Sequence, residues 1–330
     1  MTDSDYQKYC DESMKSARLT TLFNLFEEVA RGKIQAPQQP IEANLEFLSQ
    51  DPDLVVYHDL LQKNMGHFYK HYCASVPFIT EELCRLGIAL CRFAQHLSEN
   101  NNSCFTYYET SGADGAQGNT IAEYSHGLIK TLTDSPTMGN KENFYSLCNH
   151  NHSKFYHGGF FEMTPELIAS KPELDIYTDG FDFIYTSATF QFYGSDRVKQ
   201  LKYLKRLLKE DGLMIVMEKL RQPTTQEYER LERIKDEKFK SRYFSEEENK
   251  WKDATFVKKG IEVHQVDFNT IVNALKKHFK YGYLTWNSTN FYEFVVANNE
   301  SMIQKFISLL PPAYMPAEFC AETNFIRKLF

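Results

Sequence analysis

ETSGADGAQGNT, residues 109–120, is the stretch on which the reading of this 330-residue chain turns. It follows a short run of strand-forming residues at 104–108 and leads into a helical pattern. Gly112, Gly115 and Gly118, interleaved with Ser111, Ala113 and Ala116, make a tight turn of small residues. In an open α/β sheet, ligands bind beyond the carboxyl ends of the strands, where such a turn lets the backbone come close to them. Amides at the start of the following helix can receive the polar groups of a bound molecule.

Working downstream, further strands are predicted at 128–133, 154–156, 181–186 and 213–217, with helices between them, the clearest at 195–209. Strands alternating with helices describe a parallel sheet with crossovers. A charged segment, 224–259, interrupts the alternation and reads as helices outside the sheet. A helix at 268–279 follows, then strands at 281–286 and 292–297 joined by a short polar turn at 287–290, as an antiparallel hairpin requires.

Upstream, the pattern is helical. Apolar residues recur at helical spacing over 19–30, where Gly32 ends the run, and a polar linker with Pro37 and Pro40 follows. Helical patterns then cover 41–48, 54–72 and 80–97, the last opened by Thr80 as a cap with Glu81 and Glu82 in its first turn. The polar cluster at 99–103 marks a boundary. The expected organisation is a helical cap or lid over 1–100, a core over 101–300 with an insertion at about 224–260, and a tail over 301–330 packing on the core.

Five strands in alternation, followed by a terminal antiparallel pair, resemble the class I S-adenosylmethionine-dependent methyltransferases of the small-molecule type. The resemblance spans about residues 105–297. It implies an α/β, Rossmann-like seven-stranded mixed sheet with a C-terminal antiparallel hairpin and an N-terminal helical cap, binding S-adenosylmethionine. On the family pattern acid-x-Gly-x-Gly-x-Gly, Glu109 is the acid, Ser111 and Ala113 stand at the first two glycines, and Gly115 is the last. Glu109, Ser111, Gly112, Ala113, Gly115 and Asn119 are thereby implied to bind cofactor.

Asp134 and Ser135 close the second strand, at the distance where an acid accepts hydrogen bonds from ribose hydroxyls. Asp134 could equally cap a helix. The third strand runs into HGGFFEMTPEL, residues 157–167, where the resemblance places Glu162 with Phe161 or Met163 around the adenine. The plainer alternative has Phe160 and Phe161 in the core and Glu162 exposed. After the fourth strand, Thr186 and Ser187 would lie between cofactor and substrate. Lys209–Glu210–Asp211–Gly212 would then turn into the fifth strand, with Gly212 at a helix C-cap.

Methyl transfer from a sulfonium needs alignment and exclusion of water, and a general base only where the acceptor is a hydroxyl or acidic carbon. Candidate catalytic groups are His157, His264 and Tyr243. His150, His152 and His157 invite a metal reading, but no acid is arranged beside them, and no metal is expected. The aromatic stretches 67–72 and 240–244 either form a lid over the substrate or pack helices.

Composition frames these expectations. Aromatic residues make up 15% of the chain, with 26 Phe and 20 Tyr, which fills a core and also suits an enclosed organic pocket. A net charge of −7 argues against nucleic acid or an anionic membrane as partner. Seven scattered cysteines form no metal or disulfide pattern. The N-terminus is polar, and no apolar run approaches the roughly 18 residues that span a bilayer. The expected protein is therefore cytoplasmic, monomeric or homodimeric, with a small or carrier-bound metabolite as acceptor through O, N or C. Two alternatives stand beside it: a non-catalytic cofactor-binding or partner module, and a nicotinamide-dependent oxidoreductase.

Overall fold

The computed structural model describes residues 3–99, 104–322 and 325–330. The boundary expected at 99–103 lies almost wholly outside them. Among the described residues six helices precede the first strand: α1 (Asp3–Met14), α2 (Ala17–Ala30), α3 (Leu45–Leu48), α4 (Pro52–Asn64), α5 (His67–Cys73) and α6 (Ile79–Ser98). Strands and helices then alternate through β1 (Phe105–Thr110), α7 (Ala116–Tyr124), β2 (Ile129–Ser135), α8 (Met138–Leu147), β3 (Ser153–His157) and α9 (Pro165–Ala169). They continue with β4 (Phe181–Ser187), α10 (Phe190–Tyr193), α11 (Arg197–Lys205) and β5 (Leu208–Lys219). The insertion supplies α12 (Thr225–Ile234) and α13 (Glu246–Lys252), each running on into a π-helical stretch, Lys235–Phe239 and Asp253–Ile261. The chain closes with α14 (Phe268–His278), β6 (Tyr281–Ser288), β7 (Phe291–Ala297), α15 (Glu300–Leu309) and β8 (Arg327–Lys328).

The fold is α/β, with one mixed sheet in the order β3-β2-β1-β4-β5-β7-β6-β8. β3 to β5 run parallel, and β7 joins β5 antiparallel as part of the hairpin with β6. The sheet is one strand wider than the expected seven, because the two-residue β8 pairs with β6. Alternation along the strands sorts side chains into two layers. Tyr107, Phe183, Leu213, Ile215 and Val295 face one core, shared with Leu83, Leu86 and Leu90 of α6. Tyr108, Ile184, Met214, Val216 and Phe294 face the other, with Leu201 of α11 and Leu275 of α14.

Several local expectations are corrected. The helix expected over 54–72 is two, α4 and α5, broken at Gly66, where a Cβ would lie 2.6 Å from Asp114 Oδ2. Thr80 does not cap α6: Phe78 does, at φ 59°, and Thr80, Glu81 and Glu82 are buried inside the helix. Glu81 there accepts the Asn44 amide at 2.7 Å, and Glu82 pairs with Arg85 at 2.7 Å. Helix α6 is therefore a layer of the core, not part of a lid. The helix expected to reach 209 stops at Lys205, and Gly212 is not its C-cap. Pairing between β4 and β5 jumps from Phe181↔Leu208 to Phe183↔Leu213, so Lys209 to Gly212 form a bulge within β5. Helix α1 was not anticipated; among its described side chains Tyr6 and Cys10, one turn apart, are buried in a mostly polar stretch.

Candidate active site

Strand order reverses between β1 and β4, since the chain leaves β1 for β2 and β3 and returns to β4 on the other side. A crevice at the carboxyl ends of the strands is expected at such a reversal. A cavity lies there, lined by Glu109, Ser111, Gly112 and Ala113 at and beyond the end of β1, by Ser135, Thr137 and Asn140 at and beyond the end of β2, and by Ser187 and Ala188 at and beyond the end of β4. Its volume is about 180 Å³, against roughly 10–15 Å³ for one buried water. Helices close it from above, with Phe23 and Phe26 of α2, Phe68, Tyr69, His71 and Tyr72 of α5, Phe192 after β4, and Phe256 of the insertion.

The turn after β1 has an unusual backbone. Ser111 and Ala113 adopt φ of 50° and 51°, and Gly115 adopts 73° as the N-cap of α7. The left-handed region costs a non-glycine residue about 1–2 kcal/mol. The two positions that align with glycines of the acid-x-Gly-x-Gly-x-Gly pattern thus keep the glycine conformation with other small residues. Ala188 repeats it at φ 50° on the far wall. Gly112 needs its missing side chain for space, because a Cβ would come within 2.5 Å of Glu109 Cγ.

Beneath the turn lie three buried carboxyls. Glu109 Oε2 accepts the Gly118 amide at 3.2 Å, and Tyr69 donates its hydroxyl to Oε1 at 3.4 Å. Burial pushes the Glu109 carboxyl up to about 8, against the pull of the Gly118 amide. Asp134 accepts the Tyr108 hydroxyl on one oxygen and the Ser111 amide on the other at 2.9 Å. Burial raises it to about 7. Asp114, which the sequence reading passed over, accepts the Tyr69 amide at 3.0 Å and so ties the start of α5 to the turn. Its carboxyl is also raised to about 7 by burial. The signal for it was present: an acid inside a turn of small residues has no solvent to face.

Of the residues implied to hold cofactor, the fold brings Glu109, Ser111, Gly112, Ala113, Ser135 and Ser187 to the cavity. Gly115 starts α7 beside Phe144, and Asn119 lies buried within that helix, its carbonyl accepting from His150. Neither lines the cavity, and Asp134 and Thr186 do not either, each being a buried strand residue. At the end of β3, Phe161 and Met163 are core. Glu162 is exposed and holds the Gly159 amide at 3.0 Å and the Tyr156 hydroxyl at 2.9 Å. The plainer alternative for this segment is the arrangement found.

The three candidate catalytic groups are elsewhere. His157 is exposed at the end of β3, and His264 is half-buried, its carbonyl accepting Arg197 at 3.2 Å. Tyr243 is buried, its hydroxyl accepting the Glu42 amide at 3.2 Å. Their place at the cavity is taken by His71, Tyr69 and Tyr72. His71 Nδ1 donates to the Gln35 carbonyl at 2.9 Å, which leaves the Nε2 lone pair for Lys252 at 3.0 Å. Burial, then the Lys252 charge, keep this imidazole well below its usual range and neutral. Tyr72 shares a hydrogen bond with Ser187 across the cavity at 2.9 Å. Among the described residues no group of three or more His, Cys, Asp or Glu side chains is placed to hold a metal ion. Among the described residues no helix is long and apolar enough to cross a membrane.

No family model matches the chain, and no curated protein matches it in sequence. Among solved structures, it is similar to the plantazolicin methyltransferase BpumL in complex with SAH, at 10% identity and a TM-score of 0.46, over 77% of this chain and 99% of that one. It is similar to a protein of Nostoc punctiforme described as an O-methyltransferase, at 11% identity and a TM-score of 0.40, over 76% and 70% of the two chains. The pyocyanin biosynthetic protein PhzM follows at 11% identity and a TM-score of 0.37, over 78% and 62%. Overlaps this loose say nothing about chemistry, which has to come from the cavity.

Proposed function

We propose that the chain is an S-adenosylmethionine-dependent methyltransferase acting on a small or carrier-bound organic metabolite. The observation that carries this reading is the cavity's position, walled by the turn after β1 at the point where the sheet order reverses. The residues present fit the cofactor. Gly112 bares the backbone over Glu109, and the Asn140 and Gln191 amide oxygens, on buried residues that line the cavity, have no hydrogen-bond partner among the described residues. Such acceptors suit the hydroxyls and amino groups of an adenosyl ligand. Glu109, the backbone of Ser111 to Ala113, Ser135, Asn140 and Ser187 would hold it.

Bound, the cofactor supplies an electrophilic methyl group on a sulfonium. The chain's own share is positioning and dryness. The Glu109 carboxyl offers a negative charge to a cationic ligand, and binding such a cation favours its ionised form. Phe23, Phe26, Phe68, Phe192 and Phe256 exclude water from the acceptor side. Tyr72 and Ser187 present a hydrogen-bonded pair of hydroxyls on the cavity wall, against which an acceptor can be oriented.

Calorimetry separates this from the dehydrogenase reading. S-adenosylhomocysteine is expected to bind the full chain one-to-one at micromolar affinity, with no heat from NAD. Binding of NAD alone, or of neither ligand at millimolar concentration, would overturn it.

A further inference from the structure

Four lysines line the same cavity: Lys219 at the end of β5, and Lys235, Lys240 and Lys252 from the insertion. Each is buried, none being more than 7% exposed. Lysine is almost never buried unless paired, and a buried charge without a counter-charge is costly. The pairing here is incomplete. Against its own burial, Glu232 is held ionised by Lys219 and Lys235, the first at 2.8 Å. Asp236 takes Lys240 at 2.8 Å and stands 3.7 Å from Lys235. Among the described residues, Lys252 hydrogen-bonds to neutral groups, the His71 imidazole at 3.0 Å and the Ser75 hydroxyl at 2.6 Å, and feels Asp236 at longer range. Four lysine amines therefore share two carboxylates, and neither Glu232 nor Asp236 lines the cavity whereas all four lysines do.

We propose that the molecule acted on carries a phosphate-like oxyanion of about two charges, bound by Lys252 and Lys240 with Lys219 and Lys235 at the insertion's end of the cavity. Tetrahedral oxyanions suit lysine, whose three donors rotate on a flexible stem and act as a point charge. The cavity then has two polar ends with aromatic rings between: the turn after β1 and the lysine cluster. The inference rests on the methyltransferase reading only in calling this molecule the methyl acceptor.

Without an anion, burial and the Lys235 charge push the Lys240 ammonium down to about 8, and burial with Lys240 and Lys235 pushes Lys252 well below its usual range. An arriving oxyanion reverses the balance, so its binding near neutral pH is accompanied by proton uptake.

The test is titration of inorganic phosphate into the full chain by calorimetry, in two buffers of different ionisation heat, with chloride at matched ionic strength as control. Phosphate is expected to bind once per chain with proton uptake, and chloride not at all. Lys252→Met and Lys240→Met should each weaken phosphate by at least about tenfold. Phosphate no better than chloride, or variants that bind it as the parent does, would overturn the proposal. Parallel titration of S-adenosylhomocysteine keeps the two readings apart. Phosphate binding without it leaves the oxyanion site standing and removes the methyltransferase, and the reverse result removes this site alone.

Discussion

Replacing Gly112 with alanine sets the turn after β1 against its own foundation. The added Cβ would stand 2.5 Å from Glu109 Cγ, 2.6 Å from Cδ and 2.9 Å from Thr133 Cγ2. Glu109 cannot swing away freely, because the Gly118 amide and the Tyr69 hydroxyl hold both its oxygens. Overpacking at a buried site costs about 1–3 kcal/mol. Displacing the carboxyl from the Gly118 amide leaves a buried group unmatched, for about 1 kcal/mol or more. Gly118→Ala is the control. Its Cβ would meet Thr133 Oγ1 at 3.1 Å and Glu109 Oε2 at 3.5 Å, within helix α7. Alanine gains up to about 1 kcal/mol over glycine in a helix, so that variant should stay within about 1 kcal/mol of the parent. Urea denaturation should therefore place Gly112→Ala below Gly118→Ala by about 2 kcal/mol or more, with a larger loss of S-adenosylhomocysteine affinity. Equal midpoints and equal affinities would refute the idea that Gly112 and Glu109 form one packed unit beneath the ligand.

Other outcomes follow from the same geometry. Asp114→Ala removes the acceptor for the first amides of α5, costing about 1–2 kcal/mol by thermal denaturation and loosening the helix that carries Tyr69, His71 and Tyr72. Glu109→Gln tests the titration. A folded carboxyl raised to about 8 gives stability that is complete below its unfolded value and lost as pH rises toward 8. The parent should lose stability across that window by more than the variant does, measured as melting temperature from pH 5 to 8. Binding of a cationic cofactor should likewise tighten as pH rises toward 8 in the parent and not in Glu109→Gln, with proton release read by calorimetry. His157→Ala and His264→Ala, both outside the cavity, should leave S-adenosylhomocysteine affinity unchanged, and a large loss in either would show that the cavity is wrongly drawn.

The sequence displayed the sheet well, because strand periodicity and the order of turns are local. The five parallel strands and the hairpin were each placed within a few residues, apart from β5, whose bulge at Lys209 to Gly212 looks like a helix end in one dimension. The wall of the site was legible for the same reason: Ser111 to Ala113 directly follow a strand. What the sequence hid is what depends on tertiary packing. Asp134 reads as a ligand-facing acid, yet the Tyr108 hydroxyl and Ser111 amide use both its oxygens inside the fold. His71 was one of several histidines until Gln35 and Lys252 fixed its tautomer. Lys235 and Lys240 fall in the charged segment 224–259, which in one dimension reads only as helices outside the sheet. Only the fold of the insertion turns them, with Lys252, toward the cavity.

The most direct test of the central claim is a crystal structure of the full chain with S-adenosylhomocysteine. The ligand should lie in the cavity, its polar end against the backbone of Ser111 to Ala113 and its adenosine beside Ser135 and Asn140. A ligand seated anywhere else, or a cavity left filled by the chain's own side chains at saturating ligand, would contradict it.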